Sequence, residues 1–344
     1  AKVKLASISP YAEGYDKLTD NLKLTVGGRY NIDRKKLRAI NNAAATPALG
    51  AVPLVVQEAT FRNFTPRVVL SHETPRATVY ASYSKGAKSG GFNTPAFTQL
   101  VELKPETLES FEAGIKANGL NGRIRVSAAA FLYNYKDIQV SFVDAATGGV
   151  RAENAASARV YGLELNAELR VAEGLTLSAG GLMERARFRK FPSAAIFCPR
   201  SQPSPGYPGC PTPTGAPGFA NGVADLSGEP LPRAPDVSAF GSIEYEFPVG
   251  ADWEGSFVLN NRYTSGYNFS AGAGGPLGFS RQKGYNLMSA SLGLAQIDKG
   301  FDVRFFVDNL TKARYYDEVP SSAFGIAGTA AAPRTYGVTA GYSF

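Results

Sequence analysis

Along most of this chain apolar and polar residues alternate one by one, and the carboxy-terminal stretch shows the pattern without a fault. Tyr336, Val338, Ala340, Tyr342 and Phe344 fall on one side of an extended chain, and Thr335, Gly337, Thr339, Gly341 and Ser343 on the other. Strand side chains point alternately to two faces, so this pattern predicts a strand with one apolar face and one small, polar face. The same period of two recurs upstream. Leu22, Leu24, Val26, Gly28, Tyr30 and Ile32 interleave with Lys23, Thr25, Gly27, Arg29, Asn31 and Asp33. Tyr161, Leu163, Leu165, Ala167, Leu169 and Val171 interleave with Gly162, Glu164, Asn166, Glu168 and Arg170. A segment from about Leu5 to Tyr15 alternates poorly and holds Pro10, yet its place before the tight turn at 16–21 predicts a strand.

The connections carry a second rhythm. Tight turns are predicted at 16–21, 71–75, 118–122, 172–174, 248–252 and 297–300, several of them rich in the Asn, Asp and Gly that hairpin turns use. Between them fall long connections at 34–53, 85–105, 190–233 and 311–334. Short turns alternating with long loops are the mark of an up-and-down membrane barrel. The strands predicted here run to about 10–13 residues, longer than the roughly 5–6 of a soluble sandwich and enough to cross a bilayer on a tilt. The fold expected is therefore all-β, an antiparallel up-and-down transmembrane β-barrel. About thirteen strands are visible, whereas single-chain bacterial barrels have even numbers, so an ascending partner of the first strand is expected outside this sequence.

Composition adjusts this picture in a few places. Nothing approaches the run of about 18 apolar residues that a membrane helix needs, which excludes a helical membrane protein but not a barrel. The start, Ala1-Lys2-Val3-Lys4-Leu5, has no signal-peptide core, so a mature or truncated product is expected. A net charge of +7 fits a solvated basic surface or attraction to an anionic partner such as lipopolysaccharide phosphate. Basic residues are scattered among the strands rather than gathered on one element, which argues against nucleic acid. Cys198 and Cys210 share one Pro-rich loop, and two nearby thiols there suit a disulfide in an oxidising compartment and are too few for a zinc site.

Several segments together resemble the carboxy-terminal part of the barrel of TonB-dependent outer-membrane receptors. They are the stretch from Tyr80 to Asn93 (YASYSKGAKSGGFN), Leu103 to Glu106 with Glu109 to Gly114, Asn154-Ala155 with Val160 to Glu164, Val307 to Leu310 with Tyr315-Tyr316, and the terminal strand. The resemblance runs through most of the chain in the family's order. It implies the last thirteen or so strands of a 22-stranded barrel, residues 1–344, without plug domain or early strands. It also implies active import of a scarce nutrient, a ferric siderophore or a similar bulky ligand, energised by the TonB complex through an amino-terminal part not present here. A passive porin or structural outer-membrane barrel is the alternative. The partners implied are outer-membrane lipid and lipopolysaccharide, the plug and remaining strands, and the barrel-assembly machinery.

Chemistry of the catalytic kind is poorly supported. The one histidine, His72, sits in a turn, no Ser/His/Asp set can be completed, and neither metal ligands nor a cofactor motif is evident, so no enzyme is expected. The Gly-rich run from Ser84 to Gly91 leads into Phe92-Asn93-Thr94-Pro95 rather than a helix, so it is no phosphate loop. Arg29, Glu112, Glu164, Glu168, Arg262 and Arg304 alternate with apolar residues and are expected to face a wet lumen or a plug. Tyr30, Tyr83, Tyr245, Phe247, Trp253 and Tyr263 read as interfacial girdles. Ligand contacts are expected in the outer connections at Phe92, Asn93, Tyr207, Tyr267 and Phe269. By the resemblance, Tyr342 and Phe344 form the assembly signal of the final strand.

Overall fold

The structure is a computed structural model and describes residues 2–41, 52–92, 102–143, 150–199, 219–271, 280–297, 300–319, 321–322 and 325–343. These residues form one antiparallel sheet that takes its strands in chain order. The sheet begins with Lys2–Ile8 and Tyr11–Lys17, which both pair with Leu22–Asn41. They are one crossing interrupted at Pro10, which has no N–H to give a ladder and instead accepts from Tyr30 N at 3.0 Å. Then follow Val52–Glu73, Ala77–Lys88, Glu106–Gly119, Ile124–Val143, Val150–Ala172 and Leu175–Lys190. Val237–Val249, Trp253–Thr264, Tyr285–Gln296, Phe301–Asp308 and Thr335–Tyr342 complete it. Counting the interrupted crossing once, the 14-stranded sheet is thirteen strands wide. The first and last strands pair with their chain neighbours and not with each other.

The turns fall where the Asn/Gly chemistry puts them. Leu120, Asn121 and Gly122 all have positive φ, at 47°, 56° and 85°, in the one helical turn among the described residues. Gly174 turns the tightest hairpin at φ 73°, where a Cβ would lie 2.0 Å from Glu246 O. Among the described residues no helix is long and apolar enough to cross a membrane, which says nothing about strands.

Two expectations need correction. Strands were expected at about 10–13 residues, and several are far longer: Val52–Glu73 has 22 residues and Val150–Ala172 has 23. At ~3.3 Å per residue such strands outrun the apolar thickness of a bilayer and continue as a ladder in water, where no apolar face is needed. Alternation therefore fades in their outer halves. The longest connection, expected as loop, also holds a hairpin, Ala194–Pro199 with Phe219–Ala224.

That hairpin covers the main buried cluster. Ala156 and Ala158 on the outer half of Val150–Ala172 pack with Phe188, Phe191, Ile196, Cys198 and Leu226. Register shifts at Asn154/Ala156 and Ala156/Ala158 mark bulges here, which turn the strand enough for the hairpin to lie across it. Elsewhere the sheet has little interior: Leu163, Leu165, Met183, Val338 and Tyr336 are all exposed apolar residues. An apolar surface of that extent needs a nonaqueous neighbour.

Candidate functional site

Cross-strand pairing fixes which side chains share a face. Tyr80, Gly114, Ala129, Glu164, Leu182, Ser238, Thr264 and Tyr285 form one transverse row. By the same ladder Arg29, Glu112, Glu168, Arg262 and Arg304 lie on that face, as does Glu164 itself. The face is concave. A cavity of ≈ 580 Å³ near the tight turns is bordered by Thr78, Lys116, Arg125, Glu168 and Phe240, so it spans a run of neighbouring strands from Ala77–Lys88 to Val237–Val249. The opposite face carries Tyr30, Tyr83, Tyr245 and Tyr263 with the exposed aliphatic residues. On Trp253–Thr264, Trp253 and Tyr263 stand ~25 Å apart in height for a strand tilted by ~40°, the spacing of two interfacial girdles.

Charges on the concave wall are tied to neighbours. Glu112 Oε1 accepts from Tyr80 OH at 2.6 Å, and the Lys116 ammonium lies 6.0 Å from the Tyr80 ring centre. Glu164 accepts from Asn166 Nδ2 at 2.9 Å. Glu168 pairs with Arg125 at 3.2 Å and with Arg170 at 4.0 Å. Arg29 Nε donates to Asn31 Oδ1 at 2.8 Å. Arg262 borders a second cavity of ≈ 400 Å³ with Asn260, Asp308 and Tyr315. Exposed pairs of this kind contribute ~0–1 kcal/mol each, so the wall is a hydrated surface rather than a stabilising core.

Two clamps organise the long-connection end. In the first, Lys104 N donates to Asn154 Oδ1 at 2.8 Å, while Asn154 Nδ2 donates to Lys104 O at 2.9 Å and Asp137 O at 2.7 Å. Gln139 Nε2 donates to Lys104 O at 2.9 Å and Ser89 O at 3.3 Å. These contacts join two stretches far apart in the chain, Leu103 to Glu106 and Asn154-Ala155. Gly90 sits beside them with its carbonyl accepting from Lys35 Nζ at 2.5 Å. A Cβ at Gly90 would lie 2.3 Å from both Leu103 O and the buried Phe61 ring.

The second clamp is a shelf built from three connections. Arg233 lies over the Phe269 ring at 5.2 Å and reaches Glu318 at 3.4 Å. Ser280 Oγ donates to Val319 O at 2.5 Å, and Gln282 Oε1 accepts from Tyr316 N at 2.9 Å. Tyr285 and Tyr315 stack at 4.5 Å, and Tyr267 meets Phe269 edge-on at 5.2 Å. Burial, with the neighbouring Tyr285, raises the Tyr267 phenol above its ordinary range.

The expected ligand contacts divide accordingly. Phe92 is half-buried in a short pairing of Gly91–Phe92 with Glu102–Leu103. Tyr267 is half-buried on the shelf, whereas Phe269, expected as a ligand contact, is only 7% exposed and serves as the shelf's floor. Asn93, Tyr207, Cys210 and Phe344 lie outside the described residues. Cys198 is 1% exposed and disulfide-bonded, and the chain's other cysteine is Cys210. Tyr342 is exposed on the apolar face, opposite Phe301. Among the described residues no three His, Cys, Asp or Glu side chains gather as a metal site. Sequence reasoning missed Asn154, Lys104 and Gly90 as organisers; only their presence in the resembling segments signalled them.

Solved structures similar to this chain include the ferric yersiniabactin uptake receptor FyuA from Yersinia pestis, at TM-score 0.75 and 18% identity over 98% of this chain and 45% of that one. The siderophore receptor PiuA from Acinetobacter baumannii follows at TM-score 0.71 and 17% identity, over 98% and 43%. The copper transporter OprC is similar at TM-score 0.69 and 16% identity, over 99% and 49%. At such identities the likeness concerns the fold, and this chain spans less than half the length of each of these structures. Residues 2–310 match the family described as "TonB dependent receptor-like, beta-barrel". Over that match, which takes in most of the chain, it belongs to the β-barrel of the TonB-dependent receptors, an outer-membrane family.

Proposed function

We propose that this chain is the carboxy-terminal portion of a barrel that actively imports a scarce, bulky nutrient, a ferric siderophore or similar complex, across the bacterial outer membrane. The observation that carries the reading is the concave wall of both charges under a structured shelf of outer connections, on a barrel of the TonB-dependent family. The wall holding Arg29, Glu112, Glu164, Glu168, Arg262 and Arg304 faces the lumen, where a wetted surface suits a plug that must shift past it. Phe92 and Tyr267 border the ligand's entrance. The plug and remaining strands, the TonB complex and the assembly machinery are the partners this reading requires. FyuA, a ferric yersiniabactin uptake receptor, and PiuA, a siderophore receptor, support the substrate class.

The experiment is uptake of radiolabelled ferric siderophores by cells dependent on the full-length receptor, with and without an energised inner membrane. Accumulation that stops when the proton gradient is collapsed supports active import. Entry that continues unchanged, for the ferric complexes and for small sugars alike, establishes the passive porin instead.

A further inference from the structure

Under the last long connection the concave wall forms a pocket that holds a cation and an anion. Its floor is the row of Asn260, Ser289, Asp308 and Thr335, in which Asn260 pairs with Ser289 and Asp308 with Thr335. One row farther out Arg262 lies beside Phe240. The cavity measures ≈ 400 Å³, and Tyr315 and Pro333 of the connection close it from above. That volume is within the range of small-molecule pockets. The roof is fixed to the strand end by Asn309, which is 8% exposed and sits at a φ of 51° that Asn tolerates. Its Nδ2 donates to Ala313 O at 2.9 Å and to Ala332 O at 3.4 Å, and its Oδ1 accepts from Ala313 N at 2.7 Å. Ala331 N donates to Tyr315 O at 3.0 Å and ties the two ends of the connection together. The cavity is therefore preformed, which spares a ligand the cost of ordering it.

Arg262 and Asp308 both border this cavity, and among the described residues neither has an ion pair or a side-chain hydrogen bond. Asp308 stands two strands along and one row nearer the tight turns, so the two Cα atoms lie ~12 Å apart at ~4.8 Å between strands and ~3.3 Å per residue. The side chains do not close that distance. Arg262 acts on the roof: the Tyr315 phenol is pushed up by burial and by Asp317 and Tyr285, and Arg262 pulls it back. A simple anion drawn to Arg262 would meet the Asp308 carboxylate, and a simple cation drawn to Asp308 would meet the guanidinium. A ligand with both charges a few bonds apart satisfies the two groups at once. The Phe240 ring, 46% exposed beside Arg262, offers an apolar face to the rest of such a molecule.

We propose that the cavity is a subsite for an α-amino-acid end of the imported complex, with its carboxylate on Arg262 and its ammonium on Asp308. Resting on the import reading above, this assignment names the ligand's class: a metal complex whose chelator keeps an uncoordinated amino-acid group. The test uses full-length receptor in lipid discs and three small probes followed by saturation-transfer NMR. They are L-serine, L-serine methyl ester, which lacks the carboxylate, and N-acetyl-L-serine, which lacks the ammonium.

Wild type should bind L-serine about tenfold more tightly than either derivative, as the loss of one charged hydrogen bond implies. Arg262→Gln should bind L-serine and its methyl ester equally while still disfavouring the N-acetyl compound, and Asp308→Asn should do the converse. Arg262→Lys should keep the preference for a free carboxylate. Equal binding of the three probes by wild type, or a preference that survives loss of the group assigned to it, would overturn the site. The uptake assay, repeated with excess L-serine, decides the source of the ligand. Slower accumulation in wild type but not in Arg262→Gln supports a place on the import path. Binding without competition makes a free amino acid the ligand and overturns the assignment to the imported complex. Probe binding is read without transport, so a failed import reading would show as uptake without energy dependence while the NMR pattern still decides the site.

Discussion

Replacing Asn154 by alanine should free the Lys104 segment from the wall. The side chain supplies one acceptor and two donated bonds, at 2.8, 2.9 and 2.7 Å. Lys104 O keeps its bond from Gln139, so the loss falls mainly on Lys104 N and Asp137 O. Two such bonds at ~0.5–1.5 kcal/mol each give about 2 kcal/mol of local stability. That corresponds to roughly thirtyfold faster amide exchange across 102–106, if the segment opens locally. Hydrogen exchange with mass spectrometry on the assembled receptor reads it directly. Asn154→Asp keeps the acceptor for Lys104 N but sets a carboxylate against two carbonyls, so it should exchange at least as fast as the alanine variant. Unchanged exchange in Asn154→Ala, with peptides from Leu175–Lys190 equally protected in both proteins, would refute the clamp.

Other outcomes follow from the same geometry. Gly90→Ala drives a methyl into Leu103 O and the Phe61 ring, so it should lower the melting temperature at a cost of ~1–3 kcal/mol and accelerate exchange around Phe61. The raised Tyr267 phenol favours the protonated, folded form. Its contribution to stability is complete below pH ~10 and is lost as pH climbs through the raised value. Absorbance titration should show late phenols, Tyr315 among them, and one fewer of them in Tyr267→Phe. Thiol labelling without reductant should find Cys198 blocked, and Cys210→Ser should expose it if the two residues are partners. Phe344→Asp should reduce assembled receptor in the membrane more than Ser343→Asp, measured by heat-modifiable mobility; equal amounts would remove the face-specific reading of the final strand.

The inner halves of the strands were legible because each faces lipid on one side and water on the other, a contrast that writes period two into the residues. Leu163, Glu164, Leu165 and Asn166 show it plainly. Farther out the contrast vanishes: Ala156 and Ala158 are buried beneath a hairpin rather than facing lipid, and bulges at Asn154 to Ala158 shift the phase. The extensions to 20 residues and beyond were therefore invisible. The interruption at Pro10 was readable from proline's missing donor, although its two halves read as one irregular strand. At the loop end, Phe269 looked like any loop aromatic, since its fate depends on Arg233, brought to it by a separate connection. The Asn154–Lys104 clamp likewise joins residues whose meeting only the sheet's closure over Ile124–Val143 arranges.

The most direct test of the account is accessibility along one strand. Single cysteines at each position from Tyr161 to Arg170, in a Cys198→Ser, Cys210→Ser background, would carry spin labels in the reconstituted full-length receptor. Relaxation by lipid-soluble oxygen and by a water-soluble nickel chelate then reports each label's surroundings. Labels at Tyr161, Leu163, Leu165, Ala167 and Leu169 should respond to oxygen, and those at Gly162, Glu164, Asn166, Glu168 and Arg170 to the chelate, alternating residue by residue. Chelate access at every position, or an alternation of the opposite phase, would contradict a barrel with its charged wall turned inward.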